Sequence, residues 1–229
     1  MSQSTEVKQR LAKAAAAEIE NGMVVGLGTG STANAFIEAL ANRYHQQGIV
    51  CTAVASSISS GVLAQQLGLP LQGIEQTTRM DIYVDSADEV TDEKWVLKGR
   101  GSDLVKEKLF AAAADRVLII GEQSKWVKQI GAHYPIPIEV MPMAWTIVKQ
   151  QLARIGGLAT LRSQASGEGQ HVTAHGSVVL DTTFDTVSDY RQLAMQLSAM
   201  PGVVEHGLFI DNVDEVWLAD ATIETLRQW

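Results

Sequence analysis

Residues 24–32, VVGLGTGST, are the stretch that decides how this chain folds. Val24–Leu27 predicts a short buried strand, and residues 33–40 continue with amino acids that favour a helix. The glycines between them permit a tight turn that gathers several backbone N–H groups around one point, at the positive end of the helix dipole. The hydroxyl residues beside that point are Thr29, Ser31 and Thr32. The stretch therefore predicts a phosphate-binding turn.

The turn matches neither of the two common nucleotide-binding patterns. Counted from Gly28, the third glycine of the dinucleotide fingerprint would fall at Ala33, and the Lys-Ser or Lys-Thr pair of a P-loop is absent. An ordinary strand–helix turn, in which glycine only relieves crowding of the backbone, is the alternative interpretation.

Composition and charge exclude several classes of protein. The 229 residues are 46% hydrophobic with a formal net charge of −8, which fits one large or two small globular domains. Because Lys and Arg form no cluster, we expect neither a nucleic-acid nor an anionic-membrane partner. No apolar run approaches the roughly 18 residues of a membrane span, and no signal peptide begins the chain, so we expect a cytoplasmic protein.

Strands and helices alternate through the first half of the sequence. The predicted strands are Val24–Leu27, 49–55, 80–84, 95–97 and 116–120. The predicted helices cover residues 5–20, from the glycine turn to about 44, 61–67 and 103–114. This alternation is typical of an α/β fold with a mostly parallel sheet covered on both faces, in which ligands bind beyond the carboxyl ends of the strands.

The pattern changes after Gly131. A proline-punctuated extended run is followed by a predicted helix over 144–154, strands near 159–162 and 177–181, a helix over 188–200 and a strand over 203–210. This outline predicts a small α+β domain of residues 132–206. The end of the chain reads as a strand and then a helix over 223–229, so we assign residues 1–131 and 207–229 to the first domain.

Polar side chains also follow two other strands of the predicted sheet. In YVDSADE, Asp85 comes directly after an apolar strand and Asp88 stands three residues later. In LKGRG, Lys98 ends a strand and Gly99, Arg100 and Gly101 form a flexible turn. Turn-forming aspartates and a solvated lysine are the ordinary interpretation, and a Mg²⁺ site is disfavoured because no third hard ligand is obvious at short spacing.

Glu107 lies on the helix predicted over 103–114, in phase with the apolar residues Leu104, Ala111 and Ala114. Partial burial beside that apolar stripe would raise the pKa of the carboxyl group and make it a better base near neutral pH. The alternative is an exposed glutamate that is stabilised by the helix dipole.

Other chemistries find little support in the sequence. Cys51 is the single cysteine and has the setting of a buried strand residue, which excludes an intramolecular disulfide and disfavours a reactive thiol. The five histidines show no metal-ligand spacing, and no serine, cysteine or threonine stands in a nucleophile-elbow pattern. We therefore assign the histidines to surface or packing positions.

Several motifs in order carry a specific resemblance. GLGTGST (26–32), YVDSADE (83–89), LKGRG (97–101), KEK (106–108), SK (124–125), IPIEVMPMAW (136–145) and PGVVEHGLF (201–209) span nearly the whole chain. In these the sequence resembles the A-type ribose-5-phosphate isomerases. That family interconverts D-ribose 5-phosphate and D-ribulose 5-phosphate without metal or organic cofactor. It combines a Rossmann-like α/β domain with a smaller α+β domain and forms homodimers or homotetramers.

The resemblance implies a role for each matching residue. Glu107 would be the base that moves a proton between C2 and C1 of the opened sugar, and Lys98 would stabilise the enediolate. Asp85 would assist ring opening, and Asp88 would orient sugar hydroxyls. The implied phosphate ligands are Lys8, Thr29, Gly30, Ser31, Thr32 and Lys125. Ser86, Ala87, Gly99, Arg100 and Gly101 would complete the sugar site.

Three positions depart from the family pattern. Arg100 interrupts a loop that is usually KGGG, Ser86 replaces the glycine of DGAD, and Glu122 stands where Asp is common before the late Ser-Lys pair. A related isomerase for another sugar phosphate is therefore one alternative, and a non-catalytic sugar-phosphate sensor is another. Amino-sugar-phosphate deaminases and phosphogluconolactonases would be expected to have a histidine near the acidic loop, which this sequence lacks.

Overall fold

A computed structural model of the protein describes residues 3–220 and 227–228. The helices are α1 (Gln3–Ala17), α2 (Ser31–Gln47), α3 (Ile58–Gln66), α4 (Leu104–Ala113), α5 (Trp145–Arg154) and α6 (Tyr190–Ser198). The strands are β1 (Val24–Leu27), β2 (Thr52–Ala55), β3 (Ile82–Asp85), β4 (Glu89–Val90), β5 (Val96–Leu97), β6 (Val117–Glu122), β7 (Ile136–Val140), β8 (Gly157–Leu161), β9 (Val178–Phe184), β10 (Val203–His206), β11 (Leu208–Phe209), β12 (Glu215–Ala219) and β13 (Arg227–Gln228).

The main sheet has the strand order β13-β12-β6-β3-β1-β2. Its pairs are parallel except for β12 with β13, which confirms the predicted α/β fold with a mostly parallel sheet. Successive residues of a strand face opposite sides, so Leu118 and Ile120 join the core beneath α1 and α2, whereas Ile119 joins the core beneath α4. Large residues such as Phe36 and Phe110 are fully buried there, and each contributes about 1.5–3 kcal/mol to folding.

A second, antiparallel sheet has the order β10-β7-β9-β8 and packs against α5 and α6. Val148 and Leu152 on α5, and Leu193 and Leu197 on α6, are four residues apart, so each pair lies on one helix face and enters the same core. These elements confirm the smaller α+β unit. Its bounds at residues 132 and 206 stay a prediction.

Two sequence predictions about strands were wrong. The strand predicted at 95–97 does not join the parallel sheet, because β5 pairs antiparallel with β4 and β11 in a separate three-stranded sheet. The strand predicted over 203–210 divides at Gly207 into β10 and β11, which belong to different sheets. The chain turns there against the backbone of Lys98, whose carbonyl oxygen would lie 2.3 Å from a Cβ atom at Gly207.

Two further predictions, for Cys51 and for the end of the chain, are met only in part or cannot be compared in full. Cys51 is buried as expected, but it precedes β2 rather than lying within a strand. Of the helix predicted over 223–229, residues 223–226 and 229 lie outside the described residues. Residues 227–228 form the strand β13 instead. Within the described residues, no helix combines the length and the apolar character that crossing a bilayer requires.

Lys108 of α4 links the two parts of the molecule. Its Nζ atom donates to Glu205 Oε1 at 2.8 Å, to the carbonyl oxygen of His206 at 2.6 Å and to that of Leu208 at 2.8 Å. Burial, together with the positive charge of Lys108, lowers the pKa of His206 to about 3. The imidazole is therefore neutral at pH 7, and its Nδ1 atom is free to accept hydrogen bonds.

We expect Lys108→Met to lower the free energy of unfolding by about 2–4 kcal/mol, because Glu205 and two carbonyl oxygens lose the charged donor that joins them. Urea unfolding at pH 7 measures the effect. Lys149→Met, on an exposed position of α5, is the matched control and should change stability by less than about 0.5 kcal/mol. Equal stability of the two variants would contradict the linking role of Lys108.

Candidate active site

A cavity of about 250 Å³ lies beyond the carboxyl ends of β1, β3 and β6, where parallel sheets bind ligands. The residues that line it are Lys8, Thr29, Gly30, Ser31, Thr32, Ser86, Ala87, Asp88, Lys98, Gly99, Arg100, Gly101, Glu107, Gly121, Glu122 and Lys125. The topology thus brings together four segments that are far apart in the sequence, residues 29–32, 86–88, 98–101 and 121–125, with one residue each from α1 and α4.

Part of the cavity has the character of an anion site. Gly30 is the N-cap of α2 with φ 108°, a conformation that side chains disfavour, and the first turn of this helix contains no acidic residue. The first N–H groups of a helix have no partner within the helix and carry its positive dipole end. Lys8 and Lys125 line the same cavity, and the Nζ atom of Lys8 lies 3.5 Å from Oε2 of Glu122.

Gly28 permits a close approach between the glycine turn and β3. A Cβ atom at this position would lie 2.2 Å from Asp85 Oδ1, so any side chain would displace the carboxylate. With glycine there, Asp85 Oδ1 accepts hydrogen bonds from the backbone N–H of Thr29 at 3.0 Å and of Ser86 at 2.6 Å. The carboxylate therefore fixes the turn and the acidic loop to each other.

Lys98, which also lines the cavity, joins two buried carboxylates. Its Nζ atom lies 2.8 Å from Asp85 Oδ2 and 3.1 Å from Glu107 Oε1, and it donates to the carbonyl oxygen of Ser86 at 2.7 Å. Asp85 Oδ2 also accepts a hydrogen bond from the hydroxyl of Tyr83. All three protons of the ammonium group are thereby used in fixing its position.

The charges of this cluster set its protonation. Burial by itself would lower the pKa of Lys98, but the attraction of Asp85 and Glu107 outweighs it and raises the pKa above its ordinary value. Burial raises the pKa of Glu107 to about 7, against the opposing effect of Lys98 and with a further increase from Asp85. Among the described residues, Glu107 Oε2 is buried and has no hydrogen-bond partner. Glu107 is thus poised to exchange a proton near neutral pH.

Asp88 is the second carboxylate that lines the cavity. Burial raises its pKa, and the charge of Lys98 and a hydrogen bond from the backbone N–H of Arg100 at 3.4 Å oppose that change. The Arg100 guanidinium lies 3.9 Å from the centre of the Tyr134 ring, a distance at which cation–π attraction is favourable. The side chain that departs from the family pattern is therefore packed against the rim of the cavity.

The predicted site residues lie together in the structure, and one of them, Asp85, is buried beneath the cavity lining. Every one of them lines the cavity except Asp85, which is fully buried and reaches the site through Lys98. The sequence analysis did not single out Tyr83, although residues two apart on a strand share a face, and Tyr83 and Asp85 have this spacing. It also missed Gly121, at the end of β6, as a lining residue. Within the described residues, no group of three His, Cys, Asp or Glu side chains is placed to hold a metal ion.

A protein-family model matches most of the chain. Residues 52–222 match the model of "Ribose 5-phosphate isomerase A (phosphoriboisomerase A)". A ribose-5-phosphate isomerase A of Prochlorococcus marinus is 40% identical over 220 residues, which cover 94% of this chain and 92% of the relative. The enzyme of the same name from a Synechococcus species is 39% identical and covers 100% of both chains. The glycine turn, which precedes residue 52, lies within this full-length match.

Solved structures show the same similarity in three dimensions. Ribose 5-phosphate isomerase A of Methanocaldococcus jannaschii is 33% identical, with a TM-score of 0.91 over 98% of both chains. A D-ribose-5-phosphate isomerase in complex with phospho-erythronic acid is 32% identical, with a TM-score of 0.94 over 100% of this chain and 99% of its own.

We expect Lys125→Met to weaken the binding of inorganic phosphate about 10-fold, because a charged hydrogen bond is worth on the order of 1.5 kcal/mol. Isothermal titration calorimetry of the unliganded protein at fixed ionic strength measures the dissociation constant. Lys128→Met, three residues along the chain at an exposed position, is the matched control and should leave affinity unchanged. Equal affinities of the two variants would remove Lys125 from the anion site.

Proposed function

The chain belongs to the ribose-5-phosphate isomerase A family, and from this premise we propose that Glu107 catalyses the isomerisation of D-ribose 5-phosphate to D-ribulose 5-phosphate as its general base. The family and the enzyme class follow from full-length relatives. The identity of the base and the roles of its neighbours are the proposal. Because these relatives are enzymes, we do not favour the non-catalytic sugar-phosphate sensor that the sequence left open.

The unpartnered Oε2 atom of Glu107 is the observation that carries the assignment. A carboxylate oxygen that is buried without a donor is a stronger base than a solvated one, because its charged form lacks compensating hydrogen bonds. Glu107 also lines the cavity, and its other oxygen is held by Lys98. The side chain is therefore oriented while one oxygen remains available to the substrate.

We assign ring opening to Asp88 rather than to Asp85. Ring opening moves the proton of the anomeric hydroxyl while the bond between C1 and the ring oxygen breaks, and the ring oxygen must receive a proton. Asp88 lines the cavity and has a raised pKa, which suits a group that accepts one proton and donates another. The contact with the sugar ring predicted for Asp85 is not favoured, because its oxygens are occupied by Thr29, Ser86, Tyr83 and Lys98.

Isomerisation of the open sugar then needs one base and one cation. Glu107 removes the proton from C2, the electron pair of that bond forms a C1–C2 double bond, and the aldehyde oxygen at C1 becomes an oxyanion. The proton on the C2 hydroxyl passes to the C1 oxygen as the C2 carbonyl forms, and Glu107 returns its proton to C1. Lys98 is the cation beside Glu107 that stabilises the negative charge of the enediolate.

Binding energy from the phosphate supports this chemistry. The Thr29–Thr32 turn, Lys8 and Lys125 would hold the phosphate group, so that the reacting carbons lie beside Glu107 and Lys98. Arg100 and Ser86 leave every group of this mechanism in place. Assembly into a homodimer or homotetramer stays a prediction.

We expect Glu107→Gln to lower kcat about 1,000-fold with KM changed by less than about 3-fold, because the amide keeps the shape of the side chain but accepts no proton. Conversion of D-ribose 5-phosphate to D-ribulose 5-phosphate by the purified protein measures both constants. Glu122→Gln, which changes another carboxylate that lines the same cavity, is the control and should keep kcat within about 5-fold. Near wild-type turnover by Glu107→Gln would refute its role as base.

We expect kcat/KM to decrease below pH 7, because Glu107, with its pKa raised to about 7, must be deprotonated to accept a proton. The logarithm of kcat/KM should fall with a slope of one from pH 7 downwards and more steeply below about pH 6, where the substrate phosphate also gains a proton. Steady-state rates at constant ionic strength give the profile. A flat profile between pH 5 and 8 would contradict a titrating base with this pKa.

A further inference from the structure

Arg162, at the end of β8, fastens the loop that follows Lys98. Its Nε and Nη2 atoms donate to the carboxylate of Asp181 on β9 at 2.8 and 2.5 Å. Its Nη1 atom donates to the carbonyl oxygens of Gly99 at 3.1 Å and Arg100 at 3.2 Å and to the hydroxyl of Ser102 at 2.7 Å. Arg162 does not line the cavity, so these contacts reach the loop from the side of the smaller unit.

These contacts determine which way the peptide groups of the loop point. A trans peptide is planar with its C=O and N–H on opposite sides, and the described residues contain no cis peptide. Because the carbonyls of Gly99 and Arg100 point to Arg162, the N–H groups of Arg100 and Gly101 point away from it. The first of them donates to Asp88 at 3.4 Å, on the cavity side. The second belongs to Gly101, which also lines the cavity.

Apart from Arg162, three contacts hold the loop: the Ser102 N–H donates to the carbonyl oxygen of Gly99 at 3.1 Å, the Arg100 N–H donates to Asp88 at 3.4 Å, and the Arg100 guanidinium packs on the Tyr134 ring. Arg100 and Gly101 are exposed, and Ser102 has φ 66°, a value that residues other than glycine rarely adopt. Within the described residues, the Ser102 hydroxyl has one hydrogen-bond partner, the Arg162 guanidinium, from which it accepts. A guanidinium suits this task because it remains charged at all relevant pH values and presents a rigid fork of donors.

We propose that Arg162 is a positioning residue of the isomerase, which fixes the 99–102 loop so that the backbone N–H of Arg100 holds Asp88 and the backbone N–H of Gly101 faces the sugar beside Lys98. This inference rests on the proposed function, since the Gly101 N–H acts on a substrate oxygen atom that gains charge during isomerisation and Asp88 acts in ring opening. Asp181 in turn fixes the guanidinium. The smaller unit thereby takes part in the reaction without touching the substrate.

Kinetic constants of Arg162→Met distinguish positioning from simple stabilisation. We expect kcat to fall about 10- to 100-fold, because a displaced donor no longer meets the developing charge. KM should change by less than about 3-fold, since the phosphate site is intact. Arg162→Lys, which can restore one hydrogen bond but no fork, should recover part of kcat. The pH midpoint of the profile should stay in place, because the charges that shift the pKa of Glu107 are Lys98, Asp85 and Asp88.

Arg191→Met is the matched control. Arg191 forms an equally short paired contact with Asp211, at 2.7 Å for both bonds, but its side chain is 57% exposed and lies outside the cavity lining. This variant should keep wild-type kcat and KM. A loss of kcat in Arg191→Met equal to that in Arg162→Met would overturn the proposal, as would an Arg162→Met enzyme with kcat and KM within 2-fold of wild type.

Amide hydrogen exchange of the unliganded protein tests the positioning without any substrate. Peptides that cover residues 98–104 should exchange about 10-fold faster in Arg162→Met than in wild type or Arg191→Met. The loop then lacks the three hydrogen bonds from Arg162 and opens more often. Unchanged exchange would overturn the proposal even if kcat fell. Absence of ribose 5-phosphate turnover in the wild-type protein would refute the proposed function instead. Should Arg162→Met fail to fold, Arg162→Lys and Asp181→Asn are read by the same exchange measurement.

Discussion

The ion cluster of Asp85, Lys98 and Glu107 is the constraint on which the rest of the site depends. One ammonium group, almost fully buried, holds two carboxylates that would otherwise repel each other in a medium of low dielectric constant. The two carboxylates are not equivalent. Asp85 uses both oxygens in hydrogen bonds, whereas Glu107 keeps one oxygen without a donor. The same cation therefore fixes one acid as structure and leaves the other as a base.

The fold places this cluster and the anion site in one cavity. The glycine turn after β1 and the acidic loop after β3 meet because neighbouring parallel strands end at the same edge, and Gly28 lets Asp85 approach closely enough to bind the turn. Helix α4 contributes Glu107 to the cavity lining, and the loop after Lys98 contributes Gly99, Arg100 and Gly101. Contacts from Lys108 and Arg162 tie both of these elements to the 157–208 part of the chain. The residues that we assign to phosphate binding and to proton transfer are thereby held by one framework.

Local patterns sufficed to predict the parts of this arrangement that depend on local sequence. The strand–turn–helix at residues 24–32, the phase of Glu107 on its helix and the strand-end positions of Asp85 and Lys98 are all readable from spacing. Pairing partners of two-residue strands are not, which is why β5 was placed in the wrong sheet and 203–210 was read as one strand. The depth of Asp85 and the reach of Arg162 depend on contacts between residues 56 to 63 positions apart, which no local pattern encodes.

Direct titration of Glu107 tests the central claim, that burial and the shared ammonium of Lys98 poise this carboxyl group near neutrality. Protein labelled with ¹³C at the glutamate carboxyl carbons gives a resonance for each side chain, and its absence in Glu107→Gln assigns the one of interest. We predict a pKa of about 7 in the wild-type protein, and a higher value in Lys98→Met because the stabilising cation is gone. A wild-type pKa near the ordinary glutamate value of about 4.3 would contradict the account, since burial would then not outweigh the attraction of Lys98.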